Sequence, residues 1–196
     1  MREYGYLFLL VASSESRGRR MLSGCQRALQ PMDRALVAHR YTTRLQPEIY
    51  EVALSEQEFA AREDFGCFLL DWTHRDIRFG LGVEVDRWLD GGLNVLALGH
   101  SSMLESARLR YRHHLRVVYA PGGKDPMAWM KRAQDQRRTR YRQLGLGFDT
   151  MANLEALMTE DEPVADGLQL PEDVGQAIQQ MAAWMRASAP PARAVA

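Results

Sequence analysis

The sequence predicts an α/β fold, a central and mostly parallel sheet covered by helices on both faces. Three observations predict it. Apolar runs at 6–11, 93–98 and 115–120 have the length, and the near-absence of polar alternation, of strands buried on both sides. Helix-start signals fall between such runs, the alternation that builds parallel sheets. The 196-residue length suits one domain with a single sizeable core.

The first run stops at Ala12-Ser13-Ser14-Glu15-Ser16-Arg17-Gly18-Arg19. An apolar strand, a small polar loop and an amphipathic helix are how a phosphate-binding loop begins. Such a loop needs glycines, so that successive backbone N–H groups can curl around phosphate oxygens, followed by a Lys and a hydroxyl. Here Ser and Glu stand where glycine is wanted, and Arg17 stands where the Lys would be.

Further along, Met21, Leu22, Cys25, Ala28 and Leu29 recur at helical spacing, in a helix that ends before Pro31. Residues 35–41 read as one strand leading into Thr42-Thr43-Arg44. Ser55 and Glu58 form a capping box, opening a helix that carries Phe59 inward. Strands are expected at 67–72 and 77–81, and a helix at 83–89 closed by Gly91-Gly92. A second capping box, Ser102 to Glu105, opens a helix with Leu104, Ala107 and Tyr111 on one face. Asp125-Pro126 starts a helix through Arg142. A short strand at 148–151, a helix from 171 to about 186 and a disordered tail from 187 complete the expectation. Ligands of such sheets bind at the carboxyl ends of the strands, which brings the loops after Val11, Tyr41 and Leu98 around one crevice.

Composition narrows the function classes. With 25 basic and 25 acidic residues, the chain has no whole-molecule attraction to nucleic acid or acidic lipid. Cys25 and Cys67 read as buried thiols of a reducing compartment, and cytoplasmic localisation is expected. No CxxC or Cys/His cluster suggests a metal site. No apolar run approaches the roughly 20 residues that span a bilayer, and the amino-terminal run reads as a buried strand in preference to a leader. Among the histidines, His39, His74, His100 and His113-His114 show no metal-ligand spacing. His100, at a strand end facing the crevice, is the candidate for function.

Three segments carry a family resemblance: Val37-Ala-His-Arg-Tyr-Thr-Thr-Arg44, Ala53-Leu-Ser-Glu-Gln-Glu-Phe59, and Phe79-Gly-Leu-Gly-Val-Glu-Val-Asp86 with Trp88 and Leu89. Together they resemble the ribose 1,5-bisphosphate phosphokinases of bacterial phosphonate breakdown, in the guanylate-kinase-like branch of P-loop kinases. The resemblance runs from about Leu36 to Tyr111, and more loosely beyond. It implies a three-layer P-loop kinase fold with a substrate-binding insert at about 40–82 and a lid at about 124–145, within a single domain over 1–186. It implies ATP and Mg2+ as cofactors if the chain is active, and phosphorylated ribose or a similar small molecule as the partner. No membrane or nucleic-acid partner is expected, and the sequence names no protein partner.

By position, the resemblance puts Arg40, Thr42, Thr43, Arg44, Phe79 and Gly80 at the substrate. Arg forks and Thr hydroxyls suit a phosphate group. The resemblance puts Ser13, Ser14, Ser16 and Gly18 at the nucleotide, with Arg132, Arg137 and Arg138 on the lid and Arg17 in place of the catalytic Lys. The departures carry equal weight. The family's first loop reads Gly-Pro-Ser-Gly-Ser-Gly-Lys-Asp-Ser, and Val11 to Arg19 here retain none of its glycines in place. Glu15 adds a negative charge, Arg19 stands where a hydroxyl could ligate magnesium, and Phe79 lacks a phenolic oxygen. Leu98-Gly-His-Ser101 replaces a segment with an Arg. The expected function is therefore a paralogue with weak or lost kinase activity that keeps a phosphosugar pocket. The alternatives are an active kinase with an atypical nucleotide loop, or a non-catalytic binding or assembly module.

Overall fold

Strand β1 (Leu7–Ala12), the first apolar run, lies at the centre of a five-stranded sheet in the computed structural model, which describes residues 4–122 and 168–188. Its neighbours are β7 (Asn94–Leu98) and β8 (Leu115–Ala120), with β2 (Ala35–Val37) and β9 (Leu168–Gln169) at the edges. Every pairing in this sheet is parallel, as the sequence predicts. Leu10 faces Leu98 and Ala12 faces Ala120, so the three central strands end together.

The period of the strand explains why its sequence does not alternate. Leu7, Leu9 and Val11 enter one apolar cluster with Val85 and Leu89 of α3 (Glu84–Asp90) and with Leu104, Ala107 and Tyr111 of α4 (Leu104–Tyr111). Phe8 and Leu10 enter a second cluster with Met21, Leu22 and Cys25 of α1 (Glu15–Ala28) and with Ala177, Met181 and Met185 of α5 (Val174–Ala187). With helices on both faces, the side chains from Leu7 to Val11 are all removed from water. Buried Asn94 ties the layers: its Oδ1 accepts from the Tyr6 N–H at 2.8 Å and its Nδ2 donates to the Met185 carbonyl at 2.7 Å.

A second sheet is formed by β3 (Arg40–Thr42), β4 (Glu51–Ala53), β5 (Phe68–His74) and β6 (Ile77–Gly82), in the order β4-β3-β6-β5. β6 runs antiparallel to both β3 and β5, whereas β4 is parallel to β3. Here the sequence reading needs correction. Residues 35–41 are not one strand: Ala38 still donates to the Leu96 carbonyl, but Arg40 already pairs with Tyr50, and exposed His39 lies between the two sheets. An apolar run shows burial and not the identity of its partner, so the change of sheet was invisible. The β5–β6 connection is Arg75-Asp76, both left-handed at φ 51° and 61°, without the Asn-Gly signal usual for such a turn.

Helix α2 (Glu56–Asp64) starts as expected, with Ser55 Oγ accepting the Glu58 N–H. The helix near 102 does not. Its cap is His100, whose Nδ1 accepts the Ser102 N–H ahead of a 3-10 turn at Ser101–Met103. Helix α5 starts at Val174 under an Asp173 cap, later than expected, and includes Ala187, so the tail does not begin there. Cys25 is buried and its thiol is pushed up to about 12 by burial, but Cys67 is only partly buried. Among the described residues no helix is long and apolar enough to cross a membrane. The helix at 125–142, the strand at 148–151, the lid, and the tail beyond Ser188 lie outside the described residues.

Candidate anion site at the strand ends

The turn after β1 is two residues long. Ser13 donates its N–H to the Ala120 carbonyl at 3.1 Å, and Ser14 caps α1, its Oγ accepting the Arg17 N–H at 3.3 Å and lying 3.3 Å from Ser16 Oγ. Arg17, 8 % exposed, turns away from this turn. Its Nη2 donates to the carbonyls of Pro171 and Glu172 at 3.0 and 2.6 Å, joining α1 to the start of α5. A Cβ on Gly122 would lie 2.9 Å from Ser13 Oγ and 3.2 Å from Arg17 Cδ, so the loop after β8 closes against the same turn. At Gly18 a Cβ would come within 2.5 Å of Leu98 Cδ1, which makes this glycine a contact of α1 with β7.

Beside the turn lies a network of three arginines and three glutamates. Arg40, 3 % exposed, donates from Nε (3.1 Å) and Nη2 (2.6 Å) to Glu51 Oε1, and from Nη2 also to Glu15 Oε2. The Glu51 side chain is 1 % exposed and its Oε2 accepts the Glu48 N–H at 2.9 Å. Arg44 Nε lies 3.7 Å from Glu51 Oε2, and its Nη1 lies 3.8 Å from Glu48 Oε1. Arg19 Nη1 lies 3.7 Å from Glu15 Oε2, and its Nη2 3.5 Å from Glu48 Oε1. Burial would raise the Glu15 carboxyl, but the charge and hydrogen bond of Arg40, then Arg44 and Arg19, hold it below the usual glutamate range.

An aromatic floor underlies these charges. Phe79 is buried and stacked on Trp72 with ring centroids 5.5 Å apart; the guanidinium carbons of Arg40 and Arg44 lie 4.4 and 5.7 Å from its centroid. Cation–π contact of this kind compensates part of the cost of burying Arg40. A Cβ on Gly80 would be 2.7 Å from the Phe68 ring, so this glycine makes room for a ring that also meets Phe59. Thr42 Oγ1 accepts the Arg44 N–H at 3.2 Å and Thr43 Oγ1 accepts the Arg78 N–H at 3.1 Å, fixing the chain that carries Arg44. The His100 and His74 rings are in tilted contact, with centroids 4.5 Å apart, joining the turn after β7 to the β5–β6 hairpin. Burial, then His74, keep the His100 imidazole below the usual histidine range, against the pull of Glu15.

The structure therefore brings together Arg40, Arg44 and Phe79, with Thr42 and Thr43 supporting them, and it directs the Arg17 side chain to α5. Arg132, Arg137 and Arg138 lie outside the described residues. Sequence reasoning missed Glu48, Glu51 and Arg19 as parts of the site. Glu48 stands four residues after Arg44, a spacing that hints at the pair, but nothing around Glu51 announces a buried carboxylate. Among the described residues no group of His, Cys, Asp and Glu side chains is placed to hold a metal ion.

A parallel sheet between two helical layers, with a turn at the end of its central strand and a second small sheet beside it, defines a guanylate-kinase-like P-loop kinase fold. Guanylate kinase from Anaplasma phagocytophilum shares it, with a TM-score of 0.61 over 95% of this chain and 87% of that chain, at 13% identity. In sequence the chain resembles the ribose 1,5-bisphosphate phosphokinases. It is 40% identical to ribose 1,5-bisphosphate phosphokinase PhnN of Dickeya zeae over 114 residues, 57% of this chain and 60% of that one. With its counterpart from Pectobacterium atrosepticum the identity is 43% over 88 residues, covering 43% and 46%. With that from Yersinia pestis it is 41% over 100 residues, covering 50% and 51%. The chain thus matches about half the length of these curated relatives. No protein-family model matches it.

Proposed function

We propose that this chain is a ribose 1,5-bisphosphate phosphokinase-like protein of the cytoplasm that keeps a seat for a phosphorylated ribose and has weak or no phosphoryl transfer from magnesium-ATP. The observation that carries this reading is the use made of Arg17. The one cation at the place of the loop Lys is hydrogen-bonded to two backbone carbonyls beside α5, so it contributes to packing instead of neutralising phosphate. The turn itself does not fit a triphosphate. Ser14 Oγ takes up the Arg17 amide, Gly122 lies close enough to Ser13 that a Cβ there would crowd its Oγ, and the Glu15 carboxylate stands in the first turn of α1. Negative charge there opposes a polyanion by on the order of a kcal/mol or more.

The substrate side supports the other half of the reading. Arg40 and Arg44 share one aromatic ring and lie at the positions by which the chain resembles the kinases. Planar guanidinium groups held by packing are suited to a phosphate ester. Calorimetry and thermal shift test both halves. The expected result is a rise in melting temperature with millimolar ribose 1,5-bisphosphate, lost in Arg44→Ala, and no saturable magnesium-ATP binding below millimolar concentration. A protein that responds to magnesium-ATP alone and to no phosphosugar would refute it.

A further inference from the structure

The seat for phosphate is occupied by part of the chain itself. Arg40 Nη1 and Arg44 Nε are buried and have no hydrogen-bond acceptor, although both belong to guanidinium groups over the same Phe79 ring. Such donors cost free energy unless paired, and Arg44 Nε has only Glu51 Oε2 at 3.7 Å, beyond hydrogen-bond reach. An acceptor from outside the chain would find free donors over this ring. Of the carboxylates nearby, Glu51 is fixed by Arg40 and by the Glu48 N–H, with its side chain 1 % exposed. Glu15 differs. Its side chain is 36 % exposed, it is hydrogen-bonded to Arg40 with Arg19 at 3.7 Å and Arg44 also within electrostatic reach, and it is the first helical residue of α1. A rotation about its own side-chain bonds swings it to water without disturbing the helix. An anion that replaced it would meet the same guanidinium groups and the same positive end of the helix.

We propose that Glu15 is a resident competitor for the phosphate seat of Arg19, Arg40 and Arg44, so that a phosphate ester binds there by displacing the Glu15 carboxylate. With Glu15 in place, three arginines face three glutamates and the site has no net attraction for anions. With Glu15 swung out, one positive charge is uncompensated and Arg40 presents Nη2 beside its free Nη1. The cost of that displacement is set against every ligand, which makes the site weak and selective for groups with more than one negative charge. This inference rests on the phosphosugar reading above and goes beyond it, because it names the residue that regulates the site.

The experiment compares wild type with Glu15→Gln, a neutral side chain of the same size, by calorimetry at low ionic strength with ribose 5-phosphate and inorganic phosphate as probes. Glu15→Gln should bind ribose 5-phosphate at least about tenfold more tightly, a gain of about 1.4 kcal/mol. Glu15→Ser, which is smaller and also uncharged, should show the same gain, and adding Arg40→Met should abolish it. Equal affinity of wild type and both variants overturns the competitor while leaving the phosphosugar reading intact. Binding by none of the three proteins overturns that reading and the inference with it. Tighter binding of inorganic phosphate but not of the ester contradicts a sugar phosphate as the ligand class.

Discussion

Replacing Arg40 and Glu51 singly and together tests whether the charge network is a coupled unit. The two side chains are 3 % and 1 % exposed and share hydrogen bonds of 3.1 and 2.6 Å. Removing one member of a buried pair strands the other and costs about 3–5 kcal/mol. In E51L the stranded Arg40 keeps Glu15, and in R40M the stranded Glu51 keeps Arg44 at 3.7 Å, so each single change falls near the lower end, about 3 kcal/mol. The double variant R40M/E51L removes both members of the buried pair and leaves the more exposed Glu15 with Arg19 and Arg44 with Glu48, so it adds no second buried unpaired charge to the cost of a single change. With coupling of about 3 kcal/mol for residues in contact, the double variant should cost no more than either single one. For a chain of this size about 2–4 °C accompanies each kcal/mol, so thermal denaturation should show a drop of about 6–12 °C in each of the three variants. Losses in the double variant that equal the sum of the singles within about 0.5 kcal/mol would refute the reasoning.

Gly5→Ala and Gly24→Ala separate two kinds of close approach. At Gly5 a Cβ collides with the Leu93 backbone carbonyl, which cannot move; at Gly24 it meets the flexible end of Ile178. Urea titration should show a loss of about 1–3 kcal/mol for Gly24→Ala and more than about 4 kcal/mol for Gly5→Ala. The His100–His74 contact predicts acid sensitivity. Because the native His100 pKa is depressed, its contribution is complete above the ordinary histidine value and declines as pH falls through it toward the lower native one. Melting temperatures at pH 7.5 and 5.5 should therefore differ less in His100→Gln than in wild type, and an unchanged difference would count against this account.

The core was legible in the sequence because burial on both faces leaves a continuous apolar run, and Phe8-Leu9-Leu10 shows it without knowledge of partners. Ser55 and Asp173 show the contrast in helix starts: the Ser55 box reads directly, whereas Asp173 is hidden behind Pro171. The change of sheet at Ala38-His39 was not legible because it depends on partners distant in sequence, and the two-residue turn at Arg75-Asp76 was not because it lacks the Asn or Gly that announces left-handed positions. At the site, Arg40 and Arg44 could be singled out by resemblance. The partners that neutralise them could not. Glu15 and Glu51 lie 25 and 11 residues away from Arg40, and ion pairing over such separations leaves no periodic trace.

The most direct test is a turnover assay with radiolabelled ATP, magnesium and ribose 1,5-bisphosphate. The account predicts no phosphoribosyl diphosphate above the no-enzyme background, because Arg17 is committed to the carbonyls of Pro171 and Glu172 and the turn holds Glu15. Each tenfold of rate corresponds to about 1.4 kcal/mol of transition-state stabilisation. Formation of product well above background, abolished by Arg17→Ala in a protein that still melts cooperatively, would contradict it and make the chain an active kinase.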